Sequence, residues 1–391
     1  MRLLILFSVL CFSMSNITHA QSISDQKKQA MQVKERGDRG SQVQEQEQIS
    51  DEARKRFAKV ARQMRSGEIK FIGDKPTFRI KLNPALNFSI KELTGAKDEQ
   101  EVVDKYSRIS SKITKLEKSI VADALKAGIK MPYVDLIDCP DRIRFDWRAL
   151  GKVTPVKNQK SCGACTMFAV LAAWEGSYAI RNDIFVDGSE QRLLSCTEGN
   201  CMYGSYLDYQ RHRFTWGSSH NSSEGPGTAK EASYPYYGGI SAPGTDEVCR
   251  TRIPTPYHAI NTGRVNSSVD IPRVDEIKEA ICEHGPIAMG MRVTSAFIYY
   301  DSGIFNEDDS GAINHAMAIV GWDDRDGGYW IVKNSWGTNW GESGYVSVAW
   351  GSNSIGKYAG FVDAPHLSIM NWEEWEKKLV AEIPSYPVSG E

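Results

Sequence analysis

The chain has 391 residues, of which 41% are hydrophobic, 10% aromatic and 25% charged, a composition that excludes a disordered chain or a minimal module and suffices for two or three domains of about 100–200 residues. Lys plus Arg is 47 and Asp plus Glu is 49, a net charge of −2, so no basic excess points to nucleic acid as a partner. The charge is unevenly spread: residues 21–138 carry 24 basic and 18 acidic side chains (+6), and residues 139–391 carry 22 and 31 (−9), an opposition that attracts at low ionic strength and weakens when carboxylates protonate.

In chain order, Arg2, an apolar run of 12 residues from Leu3 to Met14, and Thr18-His19-Ala20 read as an export signal cleaved after Ala20. The run is shorter than the roughly 18–20 residues of a membrane span, and no later segment qualifies. The expected destination is secreted, periplasmic or lysosome-like, depending on the host. An exported chain meets oxidising conditions, so Cys139, Cys162, Cys165, Cys196, Cys201, Cys249 and Cys282 are first read as disulfide partners. Seven is odd, which leaves at least one thiol over as a candidate reactive group.

Ser50 to Met64 carries Phe57, Val60, Ala61 and Met64 at helical spacing and predicts an amphipathic helix, and Thr77 to Leu82 alternates like a short strand. From about Asp98 to Lys126 a second helix is expected, with Tyr106, Ile109, Ile113, Leu116 and Ile120 forming an apolar seam. Near residue 140 the texture changes to Trp, Gly and Tyr between short apolar runs, which marks a new domain. There Ser161 to Ser177 reads as a buried helix and Val274 to Glu283 as an amphipathic helix ending at Gly285. Ile313 to Trp322, Tyr329 to Val332 and Gly344 to Trp350 read as strands of a mostly antiparallel sheet. The tail 365–391 has no assigned role.

Chemistry concentrates in three places. Cys165 opens an apolar helix, where the dipole and free amide donors favour a thiolate nucleophile. His315 lies 150 residues further on, and Asn334 another 19, so a nucleophile, a base and an amide to orient that base are available. A zinc site from Cys162, Cys165, Cys196 and Cys201 is disfavoured by the second spacing and by the export signal. A redox Cys-x-x-Cys lacks the surrounding βαβ pattern. Lone histidines such as His212, His220 and His284 read as surface or packing residues, and Asn221 and Asn266 open sequons that matter only in a glycosylating host.

Several motifs in the right order carry a resemblance over roughly Arg142 to Phe361: Phe145-Asp-Trp-Arg148, Val153-Thr-Pro-Val-Lys-Asn-Gln159, Cys162-Gly-Ala-Cys165, Ser189-Glu-Gln191, Tyr234-Pro-Tyr236, Gly285-Pro286, His315, and Asn334-Ser-Trp-Gly337 within Trp330 to Tyr345. In these the chain resembles the papain and cathepsin family of cysteine proteases. The resemblance implies an α+β, papain-like fold of two lobes, one helical and one an antiparallel β-barrel-like lobe, preceded by a mainly helical pro-region. The implied division is a signal peptide at 1–20, an inhibitory propeptide at 21–138, a catalytic domain at 139–364 and a tail at 365–391. Within the pro-region, Lys81-Leu-Asn83 and Asn87 to Leu93 resemble the family's propeptide loop.

Carried over residue by residue, the resemblance makes Cys165 the nucleophile, His315 the general base and later acid, and Asn334 the residue that orients the imidazole. Gln159 and the Cys165 N–H would form the oxyanion hole, and Trp336 would shield the Asn334–His315 bond. Gly204 would line the substrate cleft, with Gly290, Ala316 and an acidic Asp363 around the specificity pocket. The implied disulfides are Cys162–Cys201 and Cys196–Cys249, leaving Cys165 free. Cys139–Cys282 is expected to replace the family's C-terminal bridge, with free thiols as the alternative. No cofactor and no metal are implied. The partners are a protein or peptide substrate and the chain's own pro-region, in a monomer.

The sequence also departs from the family. Thr166 stands where the family has an aromatic residue, and Tyr203 replaces a cleft glycine. These changes favour the alternative of a catalytically silent homologue acting as a binding or storage protein. An endopeptidase is expected, while the long 205–233 loop with His212 and His220 is where an exopeptidase would block its cleft.

Overall fold

The computed structural model describes residues 49–98, 104–130, 139–196, 200–202, 204–216, 227–238, 249 and 253–383. The expected signal peptide, Tyr203, His220 and the Asn221 sequon lie outside these residues, as does the side chain of Tyr106.

Helix α1 (Asp51–Ser66) starts where Ser50 Oγ accepts from Ala53 N at 3.2 Å and ends at Gly67 in the left-handed region, a capped start and a glycine stop. Its inner face puts Phe57 edge-on against Tyr299 at 5.4 Å. Strand β1 (Thr77–Ile80) follows, and then Asn83 docks by donating from Nδ2 to Ile298 O at 2.9 Å, the same carbonyl that Trp340 Nε1 reaches at 3.0 Å. The one-turn helix α2 (Ile90–Leu93) is held by a reciprocal Ser89–Glu92 capping box and delivers Leu93 to the catalytic domain. Helix α3 (Asp104–Lys126) follows.

The catalytic domain runs through β2 (Arg144–Asp146), the central helix α4 (Cys165–Asn182), α5 (Glu190–Ser195), α6 (Leu207–Trp216), β3 (Asn261–Arg264), α7 (Val274–His284), β4 (Ile287–Met291), α8 (Ser295–Ile298), β5 (Tyr300–Phe305), β6 (His315–Asp323), β7 (Tyr329–Lys333), β8 (Tyr345–Ala349) and β9 (Lys357–Asp363). Helix α4 is apolar on nearly all sides, so it is buried from Cys165 almost to its end and packs on β6 and β9. The tail, left without a role by its sequence, contains helix α9 (Trp372–Glu382), started by an Asn371–Glu374 capping box.

The strands form one sheet in the order β1-β5-β8-β7-β6-β4-β9-β3, with β2 added on β6. Every pair is antiparallel except β5 with β8. The N-terminal region therefore supplies an edge strand of this sheet, with Thr77 opposite Ile304 and Arg79 opposite Ser302. Disulfides join Cys162 to Cys201, Cys196 to Cys249 and Cys139 to Cys282, with Cα separations of 4.3, 4.8 and 5.9 Å. Among the described residues no helix is long and apolar enough to cross a membrane, and no cluster of ligating side chains suits a metal ion.

Candidate active site

Cys165 is the first residue of α4 and the free cysteine among the described residues. No side chain caps this helix start, and the Thr166 amide bears on the thiol. Burial pushes the thiol up to about 11, against the pull of the backbone amides of Ala316, Gly95, Ala96 and Thr166. Across the cleft, His315 begins β6 and donates from Nε2 to Asn334 Oδ1 at 2.8 Å. The same oxygen accepts from Ser335 N at 2.8 Å, which fixes the amide's orientation. This bond assigns the imidazole proton to Nε2 and leaves Nδ1 as the basic atom, buried and without a hydrogen-bond partner. Burial lowers His315 to about 4, opposed by the bond to Asn334. With the cleft closed, burial works against charge on both the thiol and the imidazole. Trp336 covers the imidazole with ring centroids 4.8 Å apart.

Gln159 is fixed on every side. Its Oε1 accepts from Ser335 Oγ at 2.6 Å, its N–H donates to Ser335 O at 2.8 Å, and its carbonyl accepts from Tyr236 O–H at 2.8 Å. Its Nε2 donates to Cys162 O at 2.7 Å and to Leu93 O at 3.1 Å. Trp336 Nε1 donates to the same Leu93 carbonyl at 3.2 Å. The structure thus brings Cys165, His315, Asn334, Gln159 and Trp336 together, with residues 93–98 laid across them.

That segment is bonded to both walls. The N–H groups of Gly95 and Ala96 donate to Asn314 O, both at 2.9 Å. On the opposite wall Ser205 N donates to Gly95 O at 2.8 Å and Lys97 N to Ser205 O at 3.0 Å, a parallel bridge between Ala96 and Ser205. A Cβ on Gly204 would fall 1.7 Å from Gly95 O, so only glycine admits a backbone this close. Beyond the bridge, Asp98 Oδ1 lies 2.8 Å from Lys357 Nζ and accepts from Tyr358 O–H at 2.8 Å.

Of the expected pocket residues, Ala316 and Gly290 pair with each other across β6 and β4. A Cβ on Gly290 would meet Ile313 Cδ1 at 2.4 Å and Lys357 O at 3.2 Å, so Ile313 and Lys357 close this side. Asp363 is the exception. Its carboxylate is fully buried between Arg181 Nη2 at 3.1 Å and His284 Nδ1 at 3.0 Å. Arg181 lies 16 residues along α4 from Cys165, about 24 Å at 1.5 Å per residue. Asp363 is therefore no pocket floor beside Cys165 but the core of an ion cluster at the far end of that helix. The resemblance gave it a position without saying which face of β9 it takes.

The sequence reading also passed over Lys357, Tyr358 and the buried ion cluster behind the site. There Lys157 Nζ sits 2.8 Å from each of Glu175, Asp187 and Glu190, and Thr154 links Glu175 to Lys333. Its clue was Lys157 directly after the apolar pair Pro155-Val156.

A family model described as papain family cysteine protease matches residues 142–364. The chain is 33% identical to cathepsin S of Mus musculus over 238 residues, covering 58% of this chain and 64% of that one. It is 34% identical to the senescence-specific cysteine protease SAG12 of Arabidopsis thaliana over 212 residues, 53% of this chain and 56% of that one. The chain thus spans less than two thirds of the length of these relatives. Among solved structures it resembles a recombinant stem bromelain precursor, with a TM-score of 0.55, 25% identity and coverage of 81% of this chain and 94% of that one. It shares its fold with the Amb a 11 cysteine protease of ragweed pollen in its proform, TM-score 0.57 at 24% identity, covering 87% and 96%. The fold is that of papain-like cysteine proteases in their precursor forms. The chain belongs to the papain family of cysteine proteases.

Proposed function

We propose that the chain is the zymogen of an exported cysteine endopeptidase. Cys165 is the nucleophile, His315 its general base and then acid, Asn334 the orienting amide, and Gln159 with the Cys165 N–H the oxyanion hole. The observation that carries this reading is the buried array of Cys165, His315 and Asn334 beneath a segment bonded to both cleft walls. Once residues 93–98 leave, water returns, burial no longer suppresses both charges, and a thiolate–imidazolium pair becomes accessible. The thiolate attacks a peptide carbonyl whose oxygen takes the place of Leu93 O at Gln159 Nε2. His315 then protonates the departing amine, and water hydrolyses the thioester.

An endopeptidase is favoured because residues 93–98 run from beside Trp336 to beside Lys357, the path of an extended chain along the cleft. Export is supported by the apolar leader and by the three disulfides.

The test is to incubate the purified chain under reducing conditions from pH 4 to 8, with and without a thiol alkylator, following peptide hydrolysis and chain mass. Labelling of Cys165 that abolishes hydrolysis, together with loss of residues 51–98, supports the reading. Absence of hydrolysis after those residues have been removed by another protease turns it to the silent binding homologue.

A further inference from the structure

The family-matched region ends at residue 364 and begins at residue 142. Helices α9 and α3 lie outside it on either side, yet they pack on each other. Ile109 and Ile113 of α3 share one apolar cluster with Trp375, Leu379 and Ile383 of the tail and with Ile260 beside β3. Ile113, Ile260, Trp375 and Leu379 are completely buried there. This cluster is separate from the two larger ones, and in it the inner face of α9 meets Ile109 and Ile113 of α3 together with Ile260.

Polar contacts seat α3 on the catalytic domain as well. Thr114 Oγ1 accepts from Asn261 Nδ2 at 2.9 Å, and Ser110 Oγ fills the space that a Cβ on Gly263 would need, 2.7 Å away. Glu117, itself buried, lies 3.1 Å from Arg181 Nη2 and 3.3 Å from His366 Nε2. It thereby extends the Arg181–Asp363–His284 cluster and brings a second carboxylate to Arg181. None of these contacts touches the cleft, because Arg181 stands at the opposite end of α4 from Cys165.

We propose that the face made by α9, Ile260 and the Arg181–His366 pair is a permanent docking surface for α3, so that the pro-region divides in two. Residues 51–98 are the removable inhibitor. Helix α3 stays on the catalytic domain when they leave, clasped by the tail, and is a component of the active enzyme. Its departure would bare Trp375, Leu379 and Ile260 together and take a buried carboxylate from Arg181 and His366. This division rests on the zymogen reading above, but the docking surface does not.

The test therefore has two arms. The full chain is activated under reducing conditions until residues 51–98 are lost. In parallel, the Cys165→Ala chain, which cannot process itself, is trimmed by added subtilisin. Each product is examined by gel filtration and by native and denaturing mass spectrometry. In both arms the link between residues 126 and 139 is first cut by limited proteolysis, and the expected result is a native mass that still includes residues 109–126 as a separate fragment. With Leu379→Asp, or with residues 371–391 deleted, that fragment is expected to be lost while residues 142–364 remain folded. A catalytic domain that elutes without α3 while α9 is intact overturns the proposal. Retention of α3 in both α9 variants overturns the clasp. If only the subtilisin arm yields product, the zymogen reading has failed and the docking surface is judged by that arm alone.

Discussion

A Cβ on Gly95 would lie 2.0 Å from the carbonyl oxygen of Gly163, a backbone atom that cannot swing aside. Gly95 is thus the point where the inhibitory segment passes between the two walls of the cleft, and any side chain there must lift the segment. Overpacking of this kind costs about 1–3 kcal/mol, roughly a tenfold to hundredfold weakening of the docked state. The Gly95→Ala chain is expected to lose residues 51–98 at least tenfold faster than the parent, followed by gel densitometry. Equal rates would remove Gly95 from the inhibitory contact.

Among the site residues, Gln159→Ala is expected to lower kcat by about 10²–10³, the cost of one oxyanion-hole donor, with little change in KM. Asn334→Ala removes the acceptor that fixes the His315 tautomer and is expected to cost about 10²–10⁴. Both are measured on a fluorogenic peptide after the pro-region has been removed, so that processing defects do not intrude. A Gln159→Ala enzyme with parental kcat would show that the amide serves only to bind Leu93.

Two opposed shifts set a pH window for docking. With the segment in place His315 is lowered to about 4 from its ordinary 6.5, so the docked state refuses a proton that a solvated imidazole accepts. Docking therefore weakens as the pH falls from 6.5 toward 4, by up to about tenfold per unit. Burial raises Cys165 to about 11, so docking also weakens as the pH rises past the lower value of the open-cleft thiol. In the Cys165→Ala chain, which isolates the acid limb, hydrogen exchange at Gly95, Ala96 and Lys97 is expected to accelerate from pH 7 to 4.5 after correction for intrinsic rates. Adding His315→Asn should flatten that dependence, and an unchanged slope in the double variant would assign the acid response elsewhere.

The Asp98 carboxylate between Lys357 and Tyr358 is partly exposed, its side chain 34% accessible, so solvent screens the pair. Asp98→Ala is expected to speed release of the segment only a few-fold, and high salt should abolish the difference between variant and parent. A hundredfold effect that survives high salt would mean that Asp98 anchors the segment by something other than charge.

The parts of this fold legible in sequence are those with a strong period or an unmistakable boundary. The apolar α4 starting at Cys165, the seam Ile109–Ile113–Leu116–Ile120 and the runs that became β6, β7 and β8 all carry such a signal. Strand β5 does not: its buried ends at Tyr300 and Phe305 enclose Asp301, Ser302 and Gly303, so no alternation shows. The tail helix had a readable start in Asn371-Trp-Glu-Glu374, a capping-box pattern, but no face could be assigned before its partner α3 was in place. The order of motifs in the chain carried the site, whereas the pocket depended on the face of a strand. Asp363 shows this, as does Tyr358, a bulky residue at φ 56°, where glycine would have been the expected signal.

The pairing of β1 with β5 carries a cost that falls due at activation. While Thr77 to Ile80 lies on β5, the peptide groups of Tyr300 to Ile304 are matched to a neighbouring strand. Removing residues 51–98 strips the sheet of its border and turns β5 into a raw margin, with unmet donors and acceptors facing water. Such margins recruit other extended chains. The step that opens the cleft thus also makes the molecule adhesive along a second line, so freshly matured protein should self-associate at high concentration in a way the precursor does not.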